Sequence, residues 1–111
     1  MTDAAKTEQE LVEWAASFGP LLAENAERHD RDGTFVVESH NALRDAGLLA
    51  IGVPEELGGR GATYRQVAMV QRELAKHCGS TALCTTMHQH IVSFAAWRYA
   101  RGVPGAEAML K

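Results

Sequence analysis

The sequence predicts an all-α fold, an antiparallel bundle or an orthogonal array of helices. Three observations predict it. Apolar residues recur at spacings of three and four along most of the chain, no run alternates apolar and polar as a half-buried strand does, and no hairpin dipeptide joins two apolar runs. The pattern divides into about four main helices plus the start of a fifth, with breaks near Gly19-Pro20, residues 30–34, residues 47–62 and residues 78–80.

The first helical pattern carries Leu11, Ala15, Phe18, Leu22 and Ala26 on one face, with Glu8, Glu10, Glu13, Glu24 and Glu27 mostly elsewhere. Gly19-Pro20 interrupts it, because proline removes a helical hydrogen bond and clashes with the preceding turn. Asp30-Arg31-Asp32-Gly33-Thr34 is a turn by composition. A second helix is expected over residues 35–46, with Val36, His40 and Leu43 on a shared face and Gly47 just past its end. Residues 48–53 are a short apolar run, and residues 54–61 read as loop. Thr63-Tyr64-Arg65-Gln66 fits a capping box and starts a third helix with the seam Val67, Val70 and Leu74. Gly79 is expected to end it. Ser80 or Thr81 would then cap a fourth helix running to about Arg101, ahead of Gly102. Leu83, Met87, Ile91 and Ala95 make one seam of that helix, widened by Cys84, His88, Phe94 and Trp97. A helix this apolar is expected to be buried on much of its circumference. Pro104 suits the first position of a further helix, begun by Ala106, Met109 and Leu110. That pattern runs only to Lys111, which predicts that the sequence is a piece of a longer chain.

At 111 residues the chain is the size of one domain. Its 46% hydrophobic and 23% charged residues have the balance of a folded globular protein. A net charge of −3 argues against nucleic-acid binding, which needs a basic face. Cys78 and Cys84 make no disulfide framework and read as reduced thiols of a cytoplasmic protein. The opening Met1-Thr2-Asp3-Ala4-Ala5-Lys6 lacks the basic region and apolar run of a signal peptide. No apolar stretch has the length of a membrane span.

Several motifs have a bland reading beside a chemical one. Gly58-Gly59-Arg60-Gly61 offers consecutive amides that can cradle an anion, but it lacks the lysine ending of a P-loop, and a connector between helices is the favoured reading. Cys78, Cys84, His77, His88 and His90 lack the tight cysteine pairs of structural zinc, so no metal is expected. Residues 71–90 faintly resemble a helix-turn-helix, but Thr85 and His88 stand where apolar anchors belong. No nucleophile-base pair or paired carboxylate forms a catalytic device. A stand-alone helical interaction or DNA-binding module remains the reading from another class.

The segment from Ala42 to Thr63 narrows this. It resembles the acyl-CoA dehydrogenase superfamily, in which a helix ending Leu-x-x-x-Gly-Leu is followed by a short extended piece, Pro-Glu-x-x-Gly-Gly-x-Gly and the next helix. Leu43 to Leu48 and Pro54-Glu55-Glu56-Leu57-Gly58-Gly59-Arg60-Gly61 carry that pattern. Asp30-Arg31-Asp32-Gly33 resembles the turn after the family's first helix, Glu73 stands where members often carry an acid, and residues 102–111 resemble the approach to the middle domain.

The resemblance implies that residues 1–111 are the N-terminal helical domain of a larger, homo-oligomeric oxidoreductase. A middle β-domain and a C-terminal four-helix bundle would hold FAD. A carboxylate from the C-terminal region would remove the substrate's α-proton while flavin N5 takes the β-hydride. No catalytic residue is carried over to this chain, and residues 1–111 alone are expected to be colourless and inactive. By position from Gly102, Thr85, Thr86 and Gln89 would help line the pocket of an acyl-CoA-like substrate. The run Met87-His88-Gln89-His90 departs from common dehydrogenases. In the alternative of a flavin-dependent monooxygenase of the same superfamily, His88 or His90 would face the flavin.

Overall fold

The structure, a computed structural model, describes residues 3–111, with side chains from residue 7 onward. Met1 and Thr2, which open the segment read for a leader, lie outside the described residues. The described residues form six α-helices: α1 (Asp3–Ala16), α2 (Gly19–Asp32), α3 (Val37–Asp45), α4 (Tyr64–His77), α5 (Gly79–Ala100) and the short α6 (Ala106–Leu110). Two single 3-10 turns, Leu48–Ala50 and Glu55–Leu57, punctuate the α3–α4 connection, and there is no strand among the described residues.

The first expected helix is two helices. The break falls at Ser17-Phe18, so that Pro20 sits in the first turn of α2, where its missing N–H is harmless. Gly19 packs against the His77 ring of α4, where an added Cβ would lie 2.6 Å from a ring carbon. The predicted seams of α1, α2 and α4 all face the core. Leu11, Ala15, Leu22, Val67, Val70 and Leu74 are buried there together with Leu43, Leu48 and Ile51. Each fully buried leucine or isoleucine contributes roughly 1.5–3 kcal/mol relative to exposure. A second, smaller cluster of Val53, Ala95 and Leu110 ties α6 and the loop to the end of α5.

The local signals held where they were strong. Thr63 accepts from the Gln66 amide, and the Gln66 side chain accepts from the Thr63 amide, completing the capping box. Gly47 follows the α3 cap in the left-handed conformation, φ 85°. The α3 helix begins at Val37, two residues after the expected start, because Val36 turns into the core.

Three expectations are corrected. Gly79 does not end α4; it is the first residue of α5, and the cap is Cys78 rather than Ser80 or Thr81. Cys78 is extended (φ −158°, ψ 104°), and its Sγ accepts from the Thr81 amide and the Thr81 hydroxyl. Pro104 is not a first helical residue. It lies in a turn before α6, and left-handed Gly105 precedes Ala106. Finally, of the expected α5 seam Leu83, Met87 and Ile91 are exposed, at 76%, 66% and 48%, as are the flanking Phe94 and Trp97, and Ala95 alone is buried. The inward face is instead Thr81, Ala82, Thr85, Gln89 and Ala95. That face is polar, and its Thr85 and Gln89 donors find carbonyl partners while Gln89 Oε1 has none. Thr85 Oγ1 donates to the Thr81 carbonyl at 2.9 Å, and Gln89 Nε2 donates to the Leu48 carbonyl at 3.0 Å.

Candidate functional site

Helices α4 and α5 enclose a groove of about 260 Å³. Val67 and Ala68 give its α4 bank an apolar surface, flanked by Tyr64 and Gln71; Thr86, Gln89, His90 and Ser93 come from α5. The α-helical period puts 86, 89/90 and 93 on one face of α5, which is why these four share the groove. At its mouth the two banks meet, with Tyr64 Oη 3.3 Å from His90 Nδ1.

The residues singled out in the sequence divide across this geometry. Thr86 is on the open side of α5 and lines the groove, with its hydroxyl donating to the Ala82 carbonyl at 2.6 Å. Gln89 also lines the groove but is almost fully buried. Thr85 turns inward, where its oxygen accepts from Gln71 Nε2 at 3.0 Å. His88 is on another face, and its Nε2 donates to the Leu49 carbonyl at 2.7 Å, which ties the ring to the α3–α4 connection. Of the two histidines, His90 is therefore the one in the groove. Gln71 was not singled out from sequence. The signal was present, since a polar residue four positions after Val67 falls on the apolar face of α4.

The glycine loop is a structural clasp. The Gly58 amide donates to Glu55, the Gly59 amide to Pro54, the Gly61 amide to Val53 and the Ala62 amide to Ile51. These amides point into the fold, so the loop is no anion cradle. Arg60 is engaged too, its guanidinium 4.1 Å from the Trp14 ring centroid. A larger cleft of about 450 Å³ lies between α1 and this loop, walled by Glu10, Glu55 and Arg60. Its polar groups are solvent-facing charges of both signs, which give it no directed chemistry.

Cys78 and Cys84 are free thiols. Burial, then the neighbouring Cys78, pushes the Cys84 thiol up, which keeps it protonated and poorly nucleophilic near neutral pH. Glu73 is held below the ordinary carboxylate value, first by its hydrogen bond with His77 and then by Lys76, so it is an inter-residue ion partner rather than a base. No three metal-ligating side chains converge among the described residues. No helix among them is long and apolar enough to cross a membrane.

Fold and groove together define a helical layer with one internally packed face and one open face, the latter carrying both the groove and the apolar row of α5. Comparison with known proteins says which helical layer it is. Residues 5–101 match the family described as acyl-CoA dehydrogenase, N-terminal domain, and the chain belongs to that family. It is 33% identical over 82 residues to the probable acyl-CoA dehydrogenase YngJ of Bacillus subtilis (strain 168), covering 73% of this chain and 22% of that protein. It is 33% identical over 110 residues to L-evernosamine nitrososynthase of a Micromonospora strain, covering 98% of this chain and 25% of that protein. Over 64 residues it is 45% identical to the probable FMNH2-dependent monooxygenase SfnC of Pseudomonas putida, covering 58% of this chain and 16% of that protein. The chain thus spans a quarter or less of the length of these relatives. No solved structure gives a significant match.

Proposed function

We propose that this chain is the substrate-side helical domain of an FAD-dependent oxidoreductase of acyl-CoA dehydrogenase type, which acts on an acyl-CoA-like thioester. In this reading the α4–α5 groove is its share of the acyl-pocket wall. The observation that carries the proposal is the open groove itself, which contains Thr86 and Gln89 beside an exposed apolar row on the same helix. A soluble surface rarely exposes such a row without a partner for it. The row would pack against further domains, and the complete enzyme would be a homo-oligomer.

FAD would be held outside this chain. Here the glycine loop spends its amides internally, and one small helical layer supplies a wall rather than a cofactor cradle. When bound, the flavin supplies the hydride acceptor for α,β-dehydrogenation. The residues of this chain would exclude water from the acyl chain and set its direction.

The second reading, a flavin-dependent monooxygenase, is favoured by one specific feature, the imidazole of His90 at the groove mouth. Two of the relatives above are named as a nitrososynthase and a probable monooxygenase. Assays of the complete enzyme separate the two. Dehydrogenation predicts acyl-CoA oxidation with an artificial electron acceptor, and Thr86→Trp should shorten the acyl chains accepted while FAD content stays unchanged. Oxygen-dependent turnover without acyl-CoA oxidation, lost in His90→Ala, would instead establish the second reading. An unchanged chain-length profile in Thr86→Trp would remove the groove from the pocket.

A further inference from the structure

Two residues that line the α4–α5 groove each carry a buried side-chain oxygen with no donor, Gln71 Oε1 and Gln89 Oε1. The orientation of each amide is fixed by its partners. Gln71 Nε2 lies 3.0 Å from the Ala82 carbonyl oxygen, and Gln89 Nε2 lies 3.0 Å from the Leu48 carbonyl oxygen. A carbonyl can only accept, so flipping either amide would set oxygen against oxygen. Gln89 is 1% exposed, so its oxygen has given up water without gaining a protein donor. The neighbouring groups do not supply one, since the Thr86 hydroxyl already donates to Ala82 and the Thr85 hydroxyl to Thr81. If a bare hydrocarbon were the occupant, leucine or methionine at both positions would give a better wall and no orphan atoms.

We propose that the groove receives an –NH2-bearing group of the substrate, an amine or a primary carboxamide, rather than a plain alkyl chain. This rests on the reading of the groove as a substrate wall. An –NH2 nitrogen has two hydrogens, the number of orphan oxygens, whereas an ether, ketone or alkyl terminus has no donor for either. No carboxylate, lysine or arginine lines the groove, and the His90 imidazole there is 3.3 Å from Tyr64 Oη, so recognition of the nitrogen rests on hydrogen bonding rather than on an opposite charge. The apolar flank of Val67 and Ala68 accommodates the carbon chain behind the nitrogen.

The test compares two probes of similar length on the 111-residue chain, hexanamide and heptan-2-one, by side-chain amide NMR. The ketone keeps the carbonyl acceptor and lacks the N–H donors. Hexanamide should shift the Gln71 and Gln89 side-chain amides and bind about tenfold more tightly, the value of roughly one hydrogen-bonding group. Gln71→Met and Gln89→Met, each checked for folding by its thermal melt, should bring the two probes toward parity. Equal binding of both probes in the groove of the unaltered chain would overturn this inference and leave the wall reading standing. Binding of neither at the groove, up to the solubility limit of the ketone, would overturn both.

Discussion

Replacing Gly59 by alanine should destabilise the chain far more than any other glycine-to-alanine change in its loop. A Cβ at position 59 would lie 2.1 Å from the Val53 carbonyl oxygen, 2.5 Å from Val53 Cβ and 2.6 Å from the Val53 carbonyl carbon. Those are backbone atoms and a stiff β-branched side chain, so rotation of a flexible group cannot relieve the clash. Overpacking of this kind costs about 1–3 kcal/mol. Moving the Val53 carbonyl also breaks its bond from the Gly61 amide, 2.9 Å long, and so opens the clasp that holds the loop to Ile51 and Val53. That bond adds about 1 kcal/mol, for a total of about 2–4 kcal/mol. For a domain of this size the fall in melting temperature is roughly 8–16 °C. Gly79→Ala is the control. Its Cβ meets nothing within 4 Å and φ is not left-handed, so it should be neutral or stabilising by up to about 1 kcal/mol. Circular-dichroism melts of the two variants decide the matter. A Gly59→Ala melt within roughly 2 °C of the parent would refute the clasp.

The Glu38 carboxyl is held down at about 2, first by its hydrogen bond with Arg28, then by its own backbone amide and by His29. Its folded value is depressed below the ordinary 4.5, so its stabilisation is complete above that pH and is lost as pH falls toward 2. Glu38→Gln should therefore lower the melting temperature at pH 7 and flatten its acid dependence between those values, as read from melts across that range. Cys78→Ala should cost about 0.5–2 kcal/mol in urea unfolding, the value of a helix cap, while Cys78→Ser should recover part of it because the hydroxyl oxygen still accepts. The exposed α5 row should bind a hydrophobic dye, and Met87→Glu with Ile91→Glu should abolish that fluorescence while leaving the melting temperature within about 2 °C, because neither side chain is in the core.

How much was readable in advance follows from how local each signal is. The capping box at Thr63 and the left-handed Gly47 involve neighbours in sequence, and both were legible. So were the seams of α1, α2 and α4, whose polar faces are distinct enough to choose an orientation. Helix α5 defeats this logic. It is apolar almost all round, so periodicity places residues on shared faces but does not say which face turns inward. The side that packs is made of Thr85, Gln89 and small alanines, and its side-chain donors are answered by carbonyls 3, 4 and 41 residues away. Only the tertiary arrangement supplies those carbonyls. A thiol cap at Cys78 was equally hidden, because sulfur is a weak acceptor beside the serine and threonine that follow it. The groove shows both halves of the lesson. Of the three residues singled out by family resemblance as pocket-lining, Thr86 and Gln89 line this groove and Thr85 does not, whereas Gln71 enters because α4 is packed alongside.

The central claim is that the α4–α5 groove forms part of the acyl pocket. The most direct measurement is photolysis of the complete enzyme with an acyl thioester that carries a diazirine on its chain, followed by peptide mapping. The account predicts label on the groove faces of α4 and α5, at Thr86, His90 or Tyr64, and loss of that label when unmodified acyl thioester is added in excess. Label absent from residues 64–93, or confined to Leu83 and Met87 on the exposed apolar row outside the groove, would contradict it.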